Sequence, residues 1–159
     1  MTSTRNSEAI SPAKLTLSLR ITGQREDGYH LIQSEMVTID LADSIFFEEG
    51  GRSVIYKGLY PITPDPAEDL VLRALNLLDI DATVTVHKMI PPQGGLGGGS
   101  GNAAAVLRHF GFNDLERAVQ LGADVPFNLS GGRAIVRGIG EIIEPVSYTH
   151  LTLPTILRV

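Results

Sequence analysis

From Lys14 the chain alternates, with Leu15, Leu17, Leu19 and Ile21 set against Thr16, Ser18 and Arg20, the period of two that marks a half-buried strand. The residues before it, 1–10, are polar and expected to be loose. The strand runs into TGQREDGYH, where Gly23 and the Asp27-Gly28 pair supply turn chemistry. MVTIDLADSIFFEEGG then reads as strand, a break at Ala42 to Ser44, and strand again, with Glu48 to Arg52 turning into the strand SVIYKG. Three early strands imply an antiparallel portion. PITPDPAEDL, with three prolines, is a loop, after which Leu70, Leu72, Ala74, Leu75 and Leu78 recur at helical spacing, with Asp65 as the cap and Pro66 at the first helical position. ATVTVHKMI alternates again, placing Val84 and Val86 on one face, and leads through Pro91 and Pro92 into QGGLGGGSGN and the helix-forming NAAAVLRHF. A short helix at Asp114 to Leu121 follows, then a segment to Leu129 and a Gly131-Gly132 hairpin into a last strand. No internal repeat is visible.

Composition narrows the class. The 159 residues are 43% hydrophobic and 19% charged, without an uninterrupted apolar run of spanning length, which excludes collagen-like, disordered and helical transmembrane chains. Cysteine is absent, so disulfide frameworks, thiolate zinc sites and cysteine nucleophiles are excluded together. A formal charge of −5 argues against a nucleic-acid surface while leaving room for a local basic pocket. The N-terminus has no charged-then-apolar signal pattern, and a cytoplasmic protein is expected. One tail segment stands apart: SYTHLTLPT resembles the in-frame translation of a transposase adapter used in sequencing libraries, so residues 147–159 are expected not to be native and no role is given to Tyr148 or His150.

The candidate chemistry starts with glycine, because six of the 17 glycines fall between Gly94 and Gly101, after a strand and before a helix that begins near Ser100. Such a loop lets backbone N–H groups converge on an anion at a positive helix end. It is not the P-loop, since no Lys-Ser/Thr pair follows, and no acidic residue stands where a dinucleotide fingerprint requires it; the bland alternative is a flexible turn. Asp124, between Ala123, Val125, Pro126 and Phe127, is partly desolvated and suits a base that accepts a hydroxyl proton, or else is a turn or N-cap aspartate. Lys14 is either an ordinary surface lysine or a cation steering a phosphate or a neighbouring hydroxyl. Tyr29 and His30 offer a stacking ring and hydrogen bonds to a base, the alternative being a buried tyrosine. His87 and His109 have no partner at metal-ligand spacing and read as structural; a metal would arrive with the nucleotide.

Together, SPAKLTLSLRITGQREDGYH, HKMIPPQGGLGGGSGNAAAVL and LGADVPFNLSGGRAIVRGIGEIIEP resemble the successive signature segments of the 4-diphosphocytidyl-2-C-methyl-D-erythritol kinases, a family of the galactokinase, homoserine kinase, mevalonate kinase and phosphomevalonate kinase superfamily. The resemblance covers most of residues 11–146. It implies an α+β fold, the two-layer N-terminal kinase domain of the superfamily (ribosomal protein S5 domain 2-like). It implies ATP with Mg2+ and a small-molecule substrate, cytidine diphosphate-linked methylerythritol, phosphorylated on its 2-hydroxyl on the non-mevalonate route to isoprenoid precursors. By the same resemblance Lys14 stands beside the acceptor hydroxyl and Asp124 is its base. Tyr29 and His30 hold the cytosine, Tyr29 by stacking. Gly94, Gly95, Leu96, Gly97, Gly98, Gly99, Ser100, Gly101 and Asn102 form the loop that wraps the ATP phosphates, and Asp69-Leu70-Val71 falls near the adenine, where the family has Asn-Leu-Val. Thr16 takes the place of an Asn in the substrate site, Gly101 replaces a second Ser, and the stretch from Asn102 to Leu121 is shorter than usual. The metal ligands stay unassigned, and the family's C-terminal domain is expected to be missing. Two other readings remain: an inactive nucleotide-binding fragment, or another small-molecule kinase of the superfamily, which DGYH argues against.

Overall fold

A computed structural model describes residues 7–147; the adapter-like tail lies outside these except for Ser147. The frame is a long antiparallel hairpin, β1 (Ser7–Gln24) and β2 (His30–Glu49), paired from Ser7↔Phe47 to Gln24↔His30. The opposite edge of β2 is shared: its C-terminal part, Ser44 to Glu49, takes β4 (Ala82–Lys88), and its N-terminal part, Ile32 to Val37, takes β5 (Arg133–Gly138). β3 (Ser53–Gly58) lies parallel to β4, with α1 (Leu70–Leu78) as the crossover, and β6 (Ile142–Pro145) closes the other end against β5. The six-stranded sheet carries α1, α2 (Gly98–His109), α3 (Leu115–Ala118) and α4 (Val125–Ser130) as the second layer, an α+β architecture.

The core is built from small residues. In α2, Ala103, Ala104, Ala105, Val106 and Leu107 are all buried, so the helix is enclosed on every side and lies close against Ile45, Phe47, Val84 and Val86 of the sheet and Leu75 of α1. A second cluster joins Phe127 of α4 to Met36, Ala134 and Val136, and a third joins Ala13, Ile39 and Ile90 beneath Leu96.

Several expectations are corrected. The first strand begins at Ser7, because Ser7 to Ile10 pair with Ser44 to Phe47. β2 is unbroken at Ala42 to Ser44: Asp43, which suggested a gap, is fully buried and fully partnered. The cap of α1 is Asp69, not Asp65; Asp69 Oδ1 accepts from Val71 N and Leu72 N, while Asp65 caps the preceding turn through Ala67 N. Gly131 and Gly132 turn a helix into β5 and do not form a hairpin. The alternation in β1 exists but does not bury its apolar side beyond Leu15: Leu19 and Ile21 are each 63% exposed. β1 is an edge strand, and among the described residues no hydrophobic cluster reaches that stretch.

Candidate functional site

Three distant segments meet where β1 passes the glycine loop. A register shift between Pro12 and Lys14 re-aims the strand, so that Lys14 N donates to Leu96 O at 2.9 Å instead of following the regular ladder. The stem of Lys14 then runs beneath Gly97: a Cβ there would lie 3.0 Å from Cε and 3.1 Å from Cγ, and Gly97 itself has φ 67°. Only glycine meets both demands. Gly97 is the N-cap of α2, which starts two residues before Ser100, and the loop has no side chain capping that helix end. Its first N–H groups are therefore available to an anion.

The Lys14 ammonium donates to Thr16 Oγ1 at 2.8 Å and pairs with Asp124 Oδ2 at 3.3 Å. Asp124 stands at the N-cap position of α4 yet makes no capping bond; its backbone is in the helical region and its side chain turns to Lys14. This removes the N-cap reading of Asp124, because a capping aspartate spends its oxygen on the helix N–H groups; the residue does lie in a turn. The Asp124 side chain is 31% exposed, against 7% for Lys14, so the carboxylate is the open side of the pair. Asp124 also lines a cavity of about 490 Å³ together with Gly94 to Ser100, Lys88, Tyr56, Leu70 and Val71. Lys14 and Thr16 adjoin that cavity through Asp124 and Gly97.

Tyr56 lines the same cavity and is held by Asp69. Tyr56 Oη donates to Asp69 Oδ1 at 2.9 Å, and burial, followed by the neighbouring Asp69 charge, pushes the phenol up, so it remains a neutral donor. Asp69 is thus committed to α1 and Tyr56, while Leu70 and Val71 reach the cavity. Asn102 turns inward: its amide donates to Ser11 Oγ and Asp43 Oδ2, and its oxygen accepts from Lys88 Nζ. Gly101, which stands where the family it resembles has a second serine, lies over Ser11, whose Oγ would be 3.0 Å from a Cβ.

Tyr29 and His30 are not part of this cluster. They sit at the tip of the β1–β2 hairpin, where Tyr29 is 60% exposed and lies under the Arg25 guanidinium, 5.5 Å from the ring centre. Tyr29 borders a second cavity of about 410 Å³ with Glu116, Gln120, Ile139 and Glu141. Gly140, between Ile139 and Glu141 of that cavity, packs against Ala123, the neighbour of Asp124: a Cβ on Gly140 would lie 2.2 Å from Ala123 O. His87 and His109 are structural, His87 edge-on to Phe46 and His109 stacked on Phe47. Sequence reasoning missed Lys88 and Asp43. Lys88 had a signal, since it continues the buried parity of Val84 and Val86 to the mouth of the loop; Asp43 had none beyond its place in an apolar run.

Residues 69–132 match the family described as the GHMP kinases N terminal domain. The chain is 42% identical over 168 residues to 4-diphosphocytidyl-2-C-methyl-D-erythritol kinase of Acidovorax sp. (strain JS42), covering 94% of this chain and 58% of that protein. It is 46% identical over 153 residues to the enzyme of the same name in Variovorax paradoxus, covering 86% and 51%. A crystal structure of 4-(cytidine 5'-diphospho)-2C-methyl-D-erythritol kinase superposes with a TM-score of 0.68 at 32% identity, over 95% of this chain and 62% of that one. The fold and the glycine loop resemble those of the GHMP kinases N terminal domain. The chain is similar, at 42% and 46% identity, to 4-diphosphocytidyl-2-C-methyl-D-erythritol kinases. It spans about half the length of the curated relatives it matches.

Proposed function

We infer that the chain carries the ATP-binding and acceptor-activating part of a kinase that phosphorylates the 2-hydroxyl of 4-diphosphocytidyl-2-C-methyl-D-erythritol, a soluble small molecule handled in the cytoplasm. The observation that carries this reading is the orientation of Asp124: a carboxylate that gives up its capping role to face Lys14 beside an anion-ready loop. Residues present fit a nucleotide. Gly94 to Ser100 supply backbone N–H groups for phosphates, and Tyr56, Leu70 and Val71 add an apolar part of the wall of the same cavity. Mg2+ bound with a triphosphate needs few protein ligands, and Ser100 and Glu68 are oxygen donors on the cavity wall. Bound there, the ion would neutralise phosphate charge.

Asp124 accepts the proton of the acceptor hydroxyl as that oxygen bonds to the terminal phosphorus and the bridging oxygen leaves with ADP. Lys14, held by Thr16, keeps that carboxylate oriented and offers a cation to the oxygen as its charge grows. The cytidine end of the acceptor is assigned to Tyr29 and His30 at the hairpin tip, where Tyr29 lines the second cavity together with Glu116 of α3.

A second reading, nucleotide binding without turnover, draws on the exposed Leu17, Leu19 and Ile21 of β1, an uncovered stretch beside Lys14 and Thr16. ADP release measured with ATP and the cytidine-linked acceptor separates the two. Turnover with that acceptor and none with mevalonate or homoserine supports the kinase, and Tyr29→Ala then raises the acceptor KM. ATP binding with no ADP release from any acceptor favours the second reading.

A further inference from the structure

The cavity wall contains a buried ion pair that the proposed chemistry does not use. Asp43 is fully enclosed in the middle of β2, and its two carboxylate oxygens take four donors. Oδ1 accepts from Met89 N at 2.6 Å and Ile90 N at 2.9 Å, the two residues that leave β4 for the glycine loop. Oδ2 accepts from Lys88 Nζ at 2.5 Å and Asn102 Nδ2 at 2.9 Å, and Asn102 belongs to the first turns of α2, where the loop ends. Lys88 Nζ also donates to Asn102 Oδ1 at 3.0 Å and lies 3.0 Å from where a Cβ on Gly98 would stand. Asn102 in turn donates to Ser11 Oγ, tying the set to β1 three residues before Lys14.

One carboxylate thus grips both ends of the glycine loop and fixes a cation directly beneath it. A core aspartate serving stability alone has no need of a loop terminus on each oxygen. A buried charge is costly unless every lone pair is filled, so this set has one low-energy arrangement, and the loop inherits it.

We propose that Asp43 is the positioning residue of the glycine loop, holding its N–H groups and the Lys88 ammonium in the arrangement that receives nucleotide phosphates. This rests on the reading of the loop as a phosphate site. The Asp43 carboxylate accepts all its hydrogen bonds from Met89, Ile90, Lys88 and Asn102 and none from Tyr56, whose hydroxyl donates to Asp69, so its influence falls on the loop.

The test compares the affinities of this chain for MgATP and for adenosine, by displacement of a fluorescent ATP analogue, alongside thermal unfolding. In Asp43→Asn the amide oxygen still serves Met89 and Ile90, but its NH2 group faces the Lys88 ammonium. The preference for ATP over adenosine falls tenfold or more, with adenosine affinity within twofold of the unsubstituted chain. Asp43→Asn/Lys88→Met removes the uncompensated ammonium, recovers thermal stability if the single variant loses it, and still lacks the preference. A folded variant of either kind that keeps the full preference overturns the proposal. If the unsubstituted chain itself shows no preference for ATP, the phosphate reading of the loop falls first, and the proposal falls with it.

Discussion

The molecule holds two Lys–Asp pairs on either side of one glycine loop, and they are built to opposite specifications. Lys88 and Asp43 are sealed at 2.5 Å, with both Asp43 oxygens saturated by two backbone N–H groups, an ammonium and an amide. Lys14 and Asp124 stand at 3.3 Å, and the Asp124 carboxylate is partly open to solvent with its helix-capping role unused. Identical charges therefore do different things according to how many of their bonds are already made. Asp43 of the sealed pair has no lone pair left to offer a substrate and stiffens the loop, while its Lys88 partner still lines the cavity; the open pair retains the hydrogen-bonding capacity that the proposed proton transfer requires.

The largest separation between them is in stability. Asp43→Ala leaves a buried ammonium without its counter-ion and two loop N–H groups without an acceptor, and is expected to cost about 3–5 kcal/mol. Asp124→Ala, at a site 31% exposed, is expected to cost about 1 kcal/mol or less. Urea unfolding of the two variants measures both; equal losses would erase the distinction drawn between the pairs. The order reverses for chemistry. Asp124→Asn keeps the shape and removes the base, so turnover is expected to drop about 100-fold or more while ATP affinity holds. An equal fall in binding and turnover would make Asp124 a structural partner of Lys14, a smaller copy of Asp43.

Neighbouring glycines sharpen the contrast at lower cost. A Cβ on Gly98 would meet Lys88 Nζ at 3.0 Å and Ile90 Cγ2 at 3.3 Å, whereas on Gly99 the nearest atom, Leu70 Cδ1, is 4.0 Å away. Both are in the first turn of α2. Gly98→Ala is therefore expected to destabilise by about 1–3 kcal/mol by pressing on the sealed pair, and Gly99→Ala to stabilise by about 0.4–1 kcal/mol through helix propensity and loss of unfolded-state freedom. Opposite signs in adjacent positions, read by thermal unfolding, would locate the strain at Lys88.

The open pair was legible in the chain and the sealed pair was not, for a physical reason. Lys14, Asp124 and the glycine loop lie in contiguous motifs, PAK, GADVPF and a run of glycines between strand and helix, and it is the family resemblance carried by those motifs that singles them out. Asp43 is marked by contacts 45 to 59 residues away, with Lys88, Met89, Ile90 and Asn102. Read locally, a polar residue in LADS argues for a strand break; the strand continues because distant donors compensate the charge. The exposure of Leu19 and Ile21 was hidden in the same way, since alternation states which side chains share a face but not whether anything covers it. Asp69 was the exception: an aspartate directly before an apolar helical run is a cap signal, and Asp65 with its proline drew attention from it.

The smallest effect calibrates the rest, because it comes from a titrating group in neither pair. His109 ends α2, where the helix terminus favours a cation, yet its ring lies flat on Phe47 with centroids 3.8 Å apart, and burial lowers its pKa from the ordinary 6.5. The folded chain therefore prefers the neutral imidazole more than the unfolded chain does. Its contribution to stability is complete above pH 6.5 and is lost as pH falls from there through the lowered folded value. Unfolding free energy is expected to decline as pH falls below 6.5 in the unsubstituted chain, and less steeply in His109→Phe, which keeps an aromatic ring against Phe47 and cannot ionise. Identical slopes in the two chains would show that burial of His109 exerts no pull on its proton. A shallower slope in the variant gives the background on which pH dependence of the Lys–Asp pairs is to be read.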